Sequence, residues 1–123
     1  MIDYWKVSGG ISLDEAKAWA LKEGFGFEVG RQSRFENARN AVIIAKSDLK
    51  NRLVNRIELA EEIQHGLDRP TREASKAIRR GLTNEQFHAE LFGRILENHA
   101  KGRFQFLTVG DLAALRKIIE VLK

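Results

Sequence analysis

The residues best suited to chemistry are concentrated in one short run, Glu61-Glu62-Ile63-Gln64-His65. Leu49, Leu53 and Ile57 precede it at steps of four. If the stretch is helical, positions 49, 53, 57, 61 and 65 form one slowly drifting stripe, apolar at its start and ending in Glu61 and His65. A carboxylate and an imidazole then stand one turn apart where the pattern predicts core. An unpaired buried carboxylate is costly, so such a group needs a partner, and a metal ion supplies one. Zinc takes nitrogen and oxygen ligands together, and donors at i and i+4 on one helix face can share an ion. The spacing assigns Glu61 and His65 as metal ligands. It leaves Glu62 as the general base toward a water that the metal activates.

A catalytic zinc also needs a third protein ligand. The segment after Thr83 offers Glu85, His88 and Glu90. His88 and Glu90 rank first together, because Phe87-His88-Ala89-Glu90-Leu91-Phe92 embeds both polar groups in apolar sequence. Glu85 falls in a first helical turn, where the helix dipole alone favours an acid. Asp68, just past Gly66, reads either as the group that holds the far nitrogen of a ligating His or as an ordinary loop residue. The competing reading of the whole run is a charged helix with an i, i+4 Glu–His pair and a histidine at its C-terminal end.

The elements that must position these groups follow from capping signals and periodicity. Ser12 and Glu15 form a capping box for a helix reaching Gly24. Residues 25–29 alternate as a strand, 30–37 are polar and turn, and Asn40-Ala41-Val42-Ile43-Ile44-Ala45 is the strongest strand. That strand, lying before the Glu-Glu-x-x-His helix, is a candidate edge for pairing with an extended substrate. Ser47 or Asp48 caps the helix, and Gly66 sits at its C-cap. Pro70 opens a short helix ended by Gly81. Thr83 and Gln86 box a helix over 84–98 with Phe87, Leu91 and Ile95 inward. Residues 103–107 form a short strand. Thr108 and Asp111 open a terminal helix with Leu112, Leu115, Ile118, Ile119 and Leu122 facing the core. The expected class is α+β: one domain over 1–123, several helices on a short antiparallel sheet or ribbon.

With 123 residues, 43% of them hydrophobic, the chain can bury one real core. It has no cysteine, which removes disulfides, Cys-zinc sites and thiol catalysis. No apolar run approaches the roughly 18 residues of a membrane span, and the N-terminus lacks the charged and apolar regions of a signal peptide. The net charge is +4. Its densest cluster is Arg69, Arg72, Lys76, Arg79 and Arg80, diluted by Asp68 and Glu73. This can face phosphates or simply solvent, and no aromatic residue interleaves with it, which disfavours single-stranded nucleic acid.

The run 59–69, Leu-Ala-Glu-Glu-Ile-Gln-His-Gly-Leu-Asp-Arg, followed by Phe87 to Phe92, resembles the zincin-like metallopeptidase domains of bacterial polymorphic toxins. The strand at 40–44 resembles the one before the active helix in those domains, so the likeness covers about residues 35–97. It implies a zincin-like active helix in an effector domain that is secreted or delivered into a competitor cell, cleaves protein there and is paired with an immunity protein. Glu62 would be the catalytic Glu, His65 a ligand, and Glu90 or His88 would complete the zinc site. Glu61 stands where the H-E-x-x-H pattern has its first His. An anionic ligand there weakens zinc's Lewis acidity, favours another hard divalent ion or marks an inactive relative. Two other functions fit the residues: a toxin nuclease using His65, His88 and Glu62 on RNA, and a non-enzymatic helical interaction domain.

Overall fold

Three helices begin where their capping residues require. Ser12 Oγ accepts from the Glu15 N–H and the Glu15 carboxylate from the Ser12 N–H, opening α1 (Leu13–Lys22). Thr83 with Gln86 opens α4 (Asn84–Ala100), and Thr108 with Asp111 opens α5 (Val109–Leu122). The computed structural model describes residues 2–123. Two further helices, α2 (Arg56–Asp68) and α3 (Glu73–Arg79), complete an α+β domain.

The strands make two small sheets. β4 (Ala41–Ala45), buried at every residue, is central. It pairs in parallel with β2 (Gly26–Gly30) and antiparallel with β3 (Arg34–Glu36). β1 (Gly10–Ser12) pairs antiparallel with β5 (Leu53–Asn55). The core gathers Ala16 and Ala20, Val42 and Ile44, Ile57, Leu59 and Ile63, Leu91, Phe92 and Ile95, and Leu115 from these elements. No helix among the described residues is long and apolar enough to cross a membrane.

Several expectations change here. Residues 46–48 form a lone 3-10 turn and 53–55 a strand, so Asn55, not Ser47 or Asp48, caps α2, its Oδ1 accepting from the Glu58 N–H. Asn51 and Arg52, at φ 51° and 61°, break any helical path before it. Leu49 and Leu53 therefore lie off the helix, and only Ile57, Glu61 and His65 share its stripe. Both edges of β4 are occupied by β2 and β3, so this strand has none to offer a substrate. The polar stretch 30–37 contains β3, because Arg34 to Glu36 find partners on β4. Residues 103–107 form turns in place of a strand, with Phe104 at φ 53°.

Gly66 does not end α2 but lies buried inside it. The rings of Phe35 and Phe25 press on its backbone. A Cβ there would meet Phe35 Cε2 at 2.6 Å and Phe25 Cε2 at 2.8 Å. Gly66→Ala is expected to lower stability by about 1–3 kcal/mol through this overpacking, measured by thermal denaturation. An unchanged melting temperature would show that the two rings yield freely.

Candidate metal centre

Helices α2 and α4 are locked in register by a polar network one turn past His65. Asn98 Nδ2 donates to Gln64 Oε1 and Gln64 Nε2 to Asp68 Oδ1, both at 2.8 Å. Arg94 closes on the Asp68 carboxylate at 2.7 Å. Asp68 is thus committed to Arg94 and makes no hydrogen bond to His65, which removes it as the carboxylate that orients that ring.

With the helices held this way, Glu61, His65 and His88 converge, each offering one ligand atom within 4.8 Å of the others. His88 Nε2 lies 3.5 Å from Glu61 Oε1. The edge of a tetrahedron with bonds near 2.0–2.1 Å is about 3.3 Å, so this pair already stands at ligand spacing. His88 Nδ1 is 2.8 Å from the Asn84 carbonyl. A carbonyl only accepts, so Nδ1 carries a proton. In the neutral ring Nε2 then points a lone pair at a carboxylate, an arrangement satisfied by a proton or by a metal cation between them.

The electrostatics match. The hydrogen bond with Glu61 raises the His88 pKa against the opposing effect of burial. Burial lowers that of His65, keeping it neutral, the form that binds metal. His65 stacks on Phe87 with centroids 6.1 Å apart. The other Glu61 oxygen, Oε2, accepts from the Tyr4 hydroxyl at 3.0 Å, and burial followed by the Glu61 charge pushes the Tyr4 pKa far up. Glu62 is 7% exposed. Burial first, then the charges of Glu61, Glu58 and Asp48, push its pKa up to about 9.

Comparison with protein families, with curated proteins and with solved structures finds no match for this chain. The site is therefore read from its own chemistry.

Of the sequence candidates, Glu61, His65 and His88 come together, and Glu62 stands next to them on α2. Glu90 does not join them. It projects from another face of α4 and pairs with Arg80 at 2.9 Å. Phe87-to-Phe92 apolarity could not separate the two, because His88 and Glu90 are two residues apart and so on different sides of the helix. Glu85 is exposed and reaches the same cleft as Glu61 and His88.

That cleft encloses about 580 Å³ between α2, the start of α4 and a 3-10 turn at Tyr4–Lys6. Tyr4, Asp48 and Glu58 line it, and sequence reasoning named none of them as site residues. Tyr4 meets Glu61 from 57 positions away, a contact with no local periodic signature. Burial, then the Asp48 charge, pushes the Glu58 pKa up to about 7.

Proposed function

We propose that the protein is a metal-dependent hydrolase of peptide bonds, a zincin-like effector domain of the polymorphic-toxin kind. Glu61, His65 and His88 hold the ion, zinc or another divalent metal, and Glu62 acts as base. The observation that carries this reading is the convergence of three donors from two helices, next in sequence to the buried Glu62, which makes no hydrogen bond among the described residues. When bound, the ion polarises the scissile carbonyl and acidifies the attacking water.

The chain's own residues supply the rest. The Asn84 carbonyl fixes His88 in the tautomer that exposes Nε2. The Tyr4 hydroxyl holds Glu61 at its second oxygen. Glu62, whose pKa burial and the neighbouring carboxylates raise, would act as the base once the charge of those neighbours is compensated at the three donors. Glu62 then takes the proton of the water whose oxygen bonds to the carbonyl carbon. It returns that proton to the amine nitrogen as the C–N bond breaks.

A phosphodiester substrate is disfavoured, because no lysine or arginine among the described residues lines the cleft. Much of the basic segment 69–80 is engaged elsewhere: Arg69 donates to the Asn37 carbonyl and Asn40, Lys76 pairs with Glu73, and Arg80 with Glu90. The partners this reading requires are a protein substrate in the target cell and a cognate immunity protein in the producer. The deciding experiment is elemental mass spectrometry of untagged protein. About one zinc per chain is expected, lost in His65→Ala. No stoichiometric metal after zinc is added back would sink the proposal.

A further inference from the structure

One donor of the metal centre is held from outside the two helices that carry the three. Both oxygens of Glu61 are engaged. Oε1 faces His88 Nε2 at 3.5 Å, and Oε2 accepts from the Tyr4 hydroxyl at 3.0 Å. No other hydrogen bond or ion pair reaches this carboxylate among the described residues. The side chain is 12% exposed, so an oxygen deprived of its donor there has little water to replace it.

Tyr4 comes from a strap, residues 2–8, that lies along the cleft. Ile2, Asp3, Tyr4 and Trp5 make one wall of it. The Asp3 carboxylate caps the Tyr4–Lys6 turn by accepting from the Trp5 N–H. The backbone hydrogen bonds of the turn run from Lys6 to Asp3 and from Val7 and Ser8 to Tyr4, all inside the strap. Side chains therefore set its position on the domain. Ser8 Oγ donates to Asp111 Oδ1 at 2.6 Å, and Trp5 Nε1 donates to the Asp48 carbonyl at 2.8 Å. The indole lies on bare backbone: a Cβ on Gly10 would meet Trp5 Cη2 at 2.8 Å. One residue before this seat, the Tyr4 ring stands edge-on to Phe92 with centroids 6.4 Å apart, and its hydroxyl reaches Glu61.

We infer that Tyr4 is a positioning residue of the metal centre: its hydroxyl reserves Oε2 of Glu61, so that Glu61 gives the ion one oxygen and not two. The inference rests on the proposed metal site. A carboxylate binds a metal through one oxygen or both. Both oxygens of Glu61, with His65 and His88, would fill the position that a catalytic ion keeps open for water and substrate. Oε1 already stands at ligand spacing from His88 Nε2, so the engagement of Oε2 decides between the two modes. Tyr4→Phe removes the hydroxyl and keeps the ring against Phe92. It leaves Oε2 with the ion as its one strong partner.

The test is visible absorption of the protein titrated with Co2+, which takes the place of zinc and whose d–d bands weaken as its coordination number rises. Azide, which enters an open position and shifts those bands, is then titrated in. Wild type is expected to take up about one Co2+ per chain with intense bands and to bind azide. Tyr4→Phe is expected to keep the ion, show weaker bands and lose azide affinity by about tenfold or more. Trp5→Phe unpins the strap one residue away and should move both readings in the same direction. It stands in for Tyr4→Phe if that variant fails to fold. A merely structural Tyr4 would change the melting temperature and leave the spectrum of the bound ion as it is. Bands and azide affinity equal to those of wild type would therefore overturn the inference and leave the metal site standing. A wild-type protein that takes up no Co2+ would overturn both.

Discussion

Glu62→Gln is expected to abolish hydrolysis and at the same time raise the melting temperature of the metal-free protein. The first effect follows from loss of the proton acceptor and should exceed about 100-fold, with zinc content unchanged. The second follows from linkage. The folded-state pKa is pushed from an ordinary 4.5 up to about 9, so between those values the folded form binds a proton that the unfolded form has released. Stability therefore falls as pH rises through that window. Glutamine never ionises, so the variant's advantage should be small near pH 5 and grow toward pH 9. It should reach about 2 kcal/mol or more, a shift of several degrees in a domain of this size. Melting curves across that range with a chelator present measure it. Loading with zinc should narrow the gap, since a nearby cation favours the carboxylate. Identical curves for wild type and variant would mean that Glu62 reaches water more freely than its burial implies.

His88→Ala should lower zinc affinity by more than about 100-fold, beyond the effect typical of losing a group that merely supports a ligand. Glu90→Ala should leave the affinity unchanged, since Glu90 is bound to Arg80. The wild-type affinity should also depend on pH with a definite sign. Because the Glu61 hydrogen bond raises the His88 pKa, the ring takes up its proton above the usual value near 6.5 as pH falls, and Nε2 is then occupied. Competition with a chromophoric chelator from about pH 5.5 to about pH 8 should show affinity dropping on the acid side. A flat profile, or a larger loss for Glu90→Ala than for His88→Ala, would reassign the third ligand.

What the sequence made legible was local. The capping boxes at Ser12, Thr83 and Thr108 announce their helices because donor and acceptor lie three residues apart. The apolar run of β4 is equally plain. The stripe through Leu49 and Leu53 misled because steps of four also occur by chance across a 3-10 turn and a strand, and only the positive φ of Asn51 and Arg52 separates them. In the sequence Gly66 has the look of a stop signal, whereas the need for glycine is steric and comes from two phenylalanines far away in sequence. In the site, the i, i+4 pair Glu61–His65 was readable on one helix. The choice between His88 and Glu90 depended on how α4 is rotated against α2, and that rotation is set by Gln64, Asp68, Arg94 and Asn98. Tyr4 and Asp48 enter through contacts between distant segments and leave no trace in spacing.

The placement of the three donors has a mechanical consequence. His65 lies near the end of α2 and His88 near the start of α4, and between them runs the segment holding α3, with cleavable basic residues at Arg72, Lys76, Arg79 and Arg80. An ion held by both histidines would be a reversible cross-link closing this segment into a loop, restricting the unfolded chain as a covalent tie would. Withdrawing it would unclasp the ends of a stretch rich in tryptic bonds. The lifetime of the intact chain in the presence of trypsin should therefore report whether the clasp is shut, with chelation shortening it and first cleavage falling in α3.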